Sequence, residues 1–131
     1  MPIDTLDAWH KIIAARDARA LDALLADDVV FHSPVMHTPQ RGKALTAAYL
    51  AAAMRVFTAG PFRYVREVAG SSDAVLEFEV ELDGILVNGV DIIKWNADGR
   101  IVDFKVMIRP LKAIDLIHRK MAEMLAASRK A

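Results

Sequence analysis

Between Ile101 and Arg109 apolar and polar residues alternate with a period of two. Val102, Phe104, Val106 and Ile108 fall on one face; Asp103, Lys105, Met107 and Arg109 fall on the other. The pattern predicts a strand with the first face buried. Asn96-Ala97-Asp98-Gly99 precedes it, a turn signal whose residues tolerate the dihedrals of a tight hairpin. Residues 86–95 then form the partner strand, and here both faces carry apolar side chains. Val87, Gly89, Asp91, Ile93 and Trp95 share one side, with Asn88, Val90, Ile92 and Lys94 on the other. Asp91 therefore sits among apolar neighbours, where an ionised carboxylate is costly unless it is paired or protonated. It is the strongest functional signal in the chain.

The remaining pattern supplies helices first and strands later. Residues 4–16 predict a helix, with Asp4 or Thr5 as cap and Leu6, Trp9 and Ile13 as inward stripe. Leu21, Leu24 and Leu25 drive a second, short helix ending near Ala26-Asp27-Asp28. Residues 29–33, VVFHS, are β-branched and aromatic and read as a strand stopped by Pro34. A loop with two prolines and a glycine leads to a third helix at 43–56, with Leu45, Tyr49, Ala52 and Val56 expected inward. Strands follow at 62–69 and 74–82, the second with Leu76, Phe78, Val80 and Leu82 on its apolar face and Asp83-Gly84 as the next hairpin. Pro110 suits the first position of a terminal helix, whose stripe is Leu111, Ile114, Ile117, Met121, Met124 and Leu125. The polar end Ser128-Arg129-Lys130-Ala131 closes a single domain spanning 1–131. The order is α+β: helices over one face of a curved sheet.

Composition narrows the partners. Lysine plus arginine and aspartate plus glutamate number 17 each, so no basic excess exists to hold a phosphate backbone, and nucleic acid is not expected as a partner. A hydrophobic fraction of 54% suggests covered apolar surface and hence a homodimer. Cysteine is absent, excluding disulfides and thiolate chemistry. No His/Asp/Glu spacing matches a metal site and no glycine-rich phosphate loop occurs, so neither metal nor cofactor is expected. The start lacks a signal layout and no segment is apolar enough to span a membrane; the expectation is a soluble cytoplasmic protein with no membrane partner.

Two segments carry a resemblance. LLADDVVFHSPVMHTPQRGKAL and GVDIIKWNADGRI, in this order of elements, resemble the nuclear transport factor two-like superfamily, in its SnoaL-like and ketosteroid isomerase-like branch. The resemblance covers roughly residues 4–109 and leaves the last helix outside the isomerase pattern. It implies a cone-shaped, curved antiparallel sheet with three N-terminal helices over its concave face and a C-terminal helix, a deep apolar pocket, and commonly a dimer through the outer sheet face. Residue by residue, the isomerase's oxyanion-binding aspartate matches Asp91, its oxyanion-binding tyrosine matches Trp9, and its general-base aspartate matches Ser33 in FHSP. Serine cannot replace that base. In the epoxide-hydrolysing relatives an acid stands where this chain has Val106.

The candidate site is thus Asp91 as acid or acid-base residue, with Trp9, Ser33, Tyr49, Phe78, Ile93, Phe104 and Val106 as ligand-binding residues. Asp91 either donates to a ligand from a protonated carboxyl, or is a structural residue bonded to Trp9 or Tyr49. The function expected is that of a small-molecule-pocket protein acting on an apolar, oxygen-bearing ligand as an isomerase-, hydrolase- or cyclase-like enzyme. A non-catalytic binding module or dimeric scaffold is the alternative. His37 rims the pocket or lies on the surface; His32 should face away from Ser33 as a structural residue; His10 and His118 show no partner in sequence. Glu77, Glu79 and Glu81 are expected to pair with Lys94, Lys105 and Arg109 across the outer sheet face.

Overall fold

The computed structural model describes residues 4–130, with side chains through Ala127. Helix α1 (Thr5–Ala15) leads through a 3-10 turn to the single turn of α2 (Leu21–Leu24), then β1 (Leu25–His32), the short β2 (Gln40–Arg41) and α3 (Lys43–Phe57). Four strands follow, β3 (Arg63–Ala69), β4 (Asp73–Leu82), β5 (Ile85–Trp95) and β6 (Ile101–Arg109), before α4 (Leu111–Lys130). The strands form one open sheet in the order β2-β1-β6-β5-β4-β3. The pairing is antiparallel except for β1, which runs parallel to β6, a departure from the all-antiparallel sheet expected.

The helices cover one face of this sheet, where its apolar side chains point. Leu76, Phe78 and Val80 of β4, Val87 and Ile93 of β5, Ile101 and Phe104 of β6, and Val29 and Phe31 of β1 are all buried there. Trp9 and Ile12 from α1, Leu50 and Met54 from α3, and Ala113, Leu116 and Ile117 from α4 close over them. The caps follow the sequence. The Asp4 carboxylate accepts the Asp7 N–H at the start of α1, and Arg16 at φ 53° ends it. Thr5 Oγ1 donates to the Gly99 carbonyl at 2.7 Å, tying that helix to the β5–β6 turn. The β4–β5 hairpin turns through Asp83 at φ 51° and Gly84 at φ 76°, the two left-handed residues that a tight hairpin needs.

Where the pattern misleads, a physical cause is visible. The pairing of β5 with β6 slips between Lys94 and Trp95, so Ile101 is buried and Val102 only half-buried. Strand β1 starts at Leu25, because Leu25 and Ala26 are drawn into the sheet core instead of extending α2. The two-residue β2 had no pattern of its own to show it. In the alanine-rich α3, Leu45 is exposed, Tyr49 half-buried, and Thr46, Leu50 and Met54 are buried in their place. Small residues all round that helix leave its phase undetermined by periodicity. Leu111 at the start of α4 is 72% exposed, while Ala113, Leu116 and Ile117 form the buried stripe. Two carboxylates of β4 form their ion pairs with arginines of β3 and not with the expected Lys94, Lys105 and Arg109: Glu77 lies 3.0 Å from Arg66 and Glu79 lies 3.4 Å from Arg63, while Glu77 also accepts from Asn88 of β5 at 3.0 Å. The side chains of Ser128-Arg129-Lys130-Ala131 lie outside the described residues. No helix among the described residues is long and apolar enough to cross a membrane.

Gly89 sits where three strands crowd, paired with Phe78 on one side and Ile108 on the other. A Cβ there would stand 2.5 Å from the Phe78 ring and 2.6 Å from the Met107 carbonyl. The second contact is backbone and cannot rotate away. Gly89→Ala should therefore destabilise the fold by about 1–3 kcal/mol, as overpacking does, and urea unfolding of the two proteins measures it.

Candidate functional site

Asp91 projects from the middle of β5 onto the helix-covered face and is 7% exposed. It borders a small cavity of about 40 Å3 between that face and the helices. The walls are Trp9 and Ile13 of α1, Leu50, Met54 and Phe57 of α3, and Phe62, Phe78, Phe104 and Val106. The aromatic rings hold one another in place: Phe78 packs edge-on to Phe57 at 5.2 Å and stacks with Phe62 at 5.3 Å.

The group that satisfies Asp91 is Tyr64, on β3. Its phenol donates to Asp91 Oδ2 at 2.6 Å and accepts from Trp9 Nε1 at 2.9 Å. An indole N–H can only donate, which fixes the direction of the whole chain: Trp9 to Tyr64 to Asp91. Neither Trp9 nor Tyr49 bonds Asp91 directly, contrary to the structural pairing weighed from sequence. Tyr64 is held from outside as well, by the His10 ring edge-on at 5.5 Å, and His10 in turn meets Glu67 at 2.6 Å.

The electrostatics follow from burial. Desolvation pushes the Asp91 carboxyl up to about 7, and the Tyr64 hydrogen bond pulls back only in part. The direction is the one expected from apolar neighbours. Burial, followed by the adjacent carboxylate, drives the Tyr64 phenol well above its ordinary value, so it remains a donor at any ordinary pH. With Oδ2 accepting from Tyr64, a protonated Asp91 carries its proton on Oδ1. Near neutrality this one carboxyl can therefore give a proton from Oδ1 or accept one there. Asp91 is the one carboxylate bordering the cavity, and no histidine, lysine or arginine stands with it among the described residues.

The other sequence candidates divide. Trp9, Phe78, Phe104 and Val106 line the cavity with Asp91. Ile93 is fully buried beside Phe104 in the core and does not line the cavity beside Asp91. Ser33 and Tyr49 face a second, larger cavity under α4, of about 190 Å3. Ser33 Oγ is engaged locally, accepting from the Val35 and Met36 amides at 3.1 and 3.4 Å. His32 turns to the outer face and meets Asp103 at 3.0 Å, while His37 is exposed and lines a shallow groove with His32, Lys105 and Met107. Tyr64 was missed. Phe62 and Tyr64 do alternate inward, but the rest of β3 is exposed, so nothing marks the strand as part of a site. Among the described residues no three His, Asp or Glu side chains converge as a metal site requires.

Residues 6–104 match the model of the SnoaL-like domain. The chain belongs to the SnoaL-like family. A Pseudomonas aeruginosa structure described as a steroid delta-isomerase is 37% identical and superposes with a TM-score of 0.91, covering 97% of this chain and 93% of that one. A protein with a cystatin-like fold from Silicibacter pomeroyi DSS-3 is 31% identical, with a TM-score of 0.82 and coverage of 95% and 84%. A nuclear transport factor two-like protein from Mesorhizobium loti, at 20% identity, TM-score 0.71 and coverage of 84% and 98%, shares the fold. No functionally curated protein matches the chain. This SnoaL-like protein thus has the nuclear transport factor two-like cone: a six-stranded, curved, unclosed sheet with four helices.

The raised carboxyl makes a signed prediction. Its folded-state value of about 7 exceeds the unfolded value of about 3.9. Between those values the native state holds a proton that the unfolded chain has lost, so stability falls as pH rises through that window. Asp91→Asn removes this loss while keeping an oxygen to accept from Tyr64. Relative to the parent, the Asn variant should gain on the order of a few kcal/mol between pH 4 and pH 7.5. Denaturant unfolding at the two pH values checks this; an Asn variant that loses ground at pH 7.5 would show an ionised anchor.

Proposed function

We propose that this protein binds an apolar, oxygen-bearing small molecule and acts on it as an isomerase-, hydrolase- or cyclase-like enzyme, with Asp91 as its acid or acid-base residue. The observation that carries the reading is a single carboxyl, pushed to about 7 by burial, at the edge of a cavity otherwise walled by aromatic and aliphatic side chains. A group titrating near the working pH is the kind that can both give and take a proton in a reaction. The space beside the carboxyl is small, about 40 Å3, so it takes only the oxygen-bearing end of a ligand, and its lining suits a hydrocarbon frame behind that oxygen. Trp9 and Tyr64 would hold the carboxyl still and leave Oδ1 for the ligand.

The likeness to a steroid delta-isomerase supports the ligand class more than the reaction. Moving a proton next to a ketone uses a base apart from the acid that supports the oxygen. The residue matching the isomerase base is Ser33, which borders the other cavity and whose hydroxyl accepts two amides of its own loop. That favours a second reading, a binding module in which Asp91 only holds the ligand's oxygen. Both readings expect 2-naphthol to bind, and Asp91→Asn to weaken it about tenfold, the size of one lost hydrogen bond. Fluorescence titration measures this, and equal affinity in the two proteins would reject both. The purified protein should not isomerise a Δ5-3-ketosteroid above background; robust conversion lost in Asp91→Asn would overturn the assignment of Ser33.

A second copy of the chain is the partner proposed for the outer sheet face. Val75 opposes Ile92, and Val90 opposes Met107, across β4, β5 and β6. Val75 and Met107 are 38% and 52% exposed, which leaves a contiguous apolar strip on the face away from the helices. Sedimentation at micromolar concentration should show a dimer, and Met107→Lys should shift it toward monomer. A clean monomer of the parent protein would reject this.

A further inference from the structure

Two neighbouring residues of α1 grip two residues of β3. Trp9 donates its indole N–H to the Tyr64 phenol at 2.9 Å, and His10 Nε2 meets Glu67 Oε1 at 2.6 Å. An ionised carboxylate only accepts, so His10 carries the proton of that bond on Nε2. The spacing on β3 is unusual. Residues three apart on a regular strand lie on opposite faces, yet Tyr64 and Glu67 both turn toward α1. A bulge is the cause. The pairing with β4 slips between Tyr64 and Arg66, so Tyr64 opposes Phe78 and Glu67 opposes Leu76, two positions on the same face of β4. Arg66 is left on the other face, where it lies 3.0 Å from Glu77 and does not compete with His10 for Glu67. The Tyr64 ring is thereby held between two others, edge-on to His10 at 5.5 Å and to Phe62 at 5.1 Å.

We infer that Glu67 is a positioning residue for Asp91: it holds His10 against the Tyr64 ring, which keeps the phenol on Asp91 Oδ2 and leaves Oδ1 to the cavity. The inference rests on the role of Asp91 given above and adds what fixes the orientation of its carboxyl. The two oxygens of a carboxylate are equivalent, and rotation of the group exchanges them unless one is held. Tyr64 holds one, but it stands on β3, the edge strand of the sheet, paired on one side only and mostly exposed. Its bond from Trp9 is a single point of attachment to α1. The His10–Glu67 bond, made by the next residue of the same helix, supplies the second point and closes a clasp around the phenol ring. Glu67 itself lines no part of the cavity beside Asp91, so it acts on the carboxyl only through His10 and Tyr64.

Glu67→Gln and Glu67→Ala separate the clasp from the charge. Glutamine drops the charge and keeps an oxygen for His10; alanine drops both, so the difference between the two variants reports the clasp alone. Two signals of the ligand-free protein read it: hydrogen exchange of the Trp9 indole N–H, protected by its bond to Tyr64, and the carbon-13 titration of the Asp91 carboxyl. The alanine variant should exchange the Trp9 proton about tenfold faster than the glutamine variant, the size of one loosened hydrogen bond. Its Asp91 midpoint should lie higher, toward that of Tyr64→Phe, because a phenol that leaves Oδ2 no longer favours the ionised form. In a His10→Phe background, which keeps an edge-on ring but cannot bond Glu67, the two variants should behave alike. Three results would overturn the clasp: alanine and glutamine alike with His10 present, a lower midpoint with alanine, or a difference that persists with His10→Phe. No ligand enters these measurements, so a protein that binds no small molecule would count against the proposed function and leave the clasp to be judged by its own signals.

Discussion

One hydrogen bond organises the interior: the Tyr64 phenol donating to Asp91 at 2.6 Å. A carboxyl on the apolar face of a central strand needs a partner, and the kind of partner decides its charge. A lysine or arginine would hold Asp91 ionised. A buried phenol satisfies one oxygen without supplying a full charge, so desolvation wins and the carboxyl is pushed up to about 7. Trp9 completes the arrangement by taking up the phenol's acceptor site, which leaves Tyr64 no direction in which to donate except toward Asp91. Three elements far apart in sequence, α1, β3 and β5, are thereby fastened around the same cavity.

The rest of the fold reads as what this arrangement requires. Phe57, Phe62 and Phe78 brace one another by edge and face contacts, and Phe104 packs against Trp9, so that aromatic rings wall the carboxyl. Gly89, two residues before Asp91 on the same face, gives Phe78 room to lie against the β5 backbone. A buried carboxyl held near its neutral form costs stability once the surrounding pH passes its unfolded value. A group that weakens the fold in this way, and borders an apolar cavity, fits function better than architecture. The SnoaL-like family supplies the cone; the chemistry depends on what each member places inside it.

Most of the sheet was legible because its strands obey a period of two and its turns carry their own residues. Asn96 to Gly99 and Asp83-Gly84 fix two hairpins, and with them the register that brings Asp91 opposite Leu76 and Val106. Asp91 itself stood out as a polar residue in an apolar alternation. Tyr64 did not, because its contact with Asp91 spans two strands of the sheet, skips over β4, and depends on a register shift between Tyr64 and Arg66. Local pattern cannot contain such a contact. The same limit explains Ser33 and Tyr49, grouped with Asp91 from the sequence but lining the separate chamber under α4, whose docking onto α3 is set by tertiary packing. Ile93 was misjudged for a simpler reason: sharing a face with Asp91 does not imply sharing its end of the cavity.

The ionisation of Asp91 is the central claim, and it can be observed directly. Carbon-13 NMR of the aspartate side-chain carboxyls, assigned by the loss of one signal in Asp91→Asn, follows each titration separately. The account requires the Asp91 signal to titrate near pH 7, and to shift to a lower midpoint in a variant whose outer wall admits water, such as Phe62→Ala. A midpoint at about 4 or below, like that of an exposed or ion-paired aspartate, would contradict it.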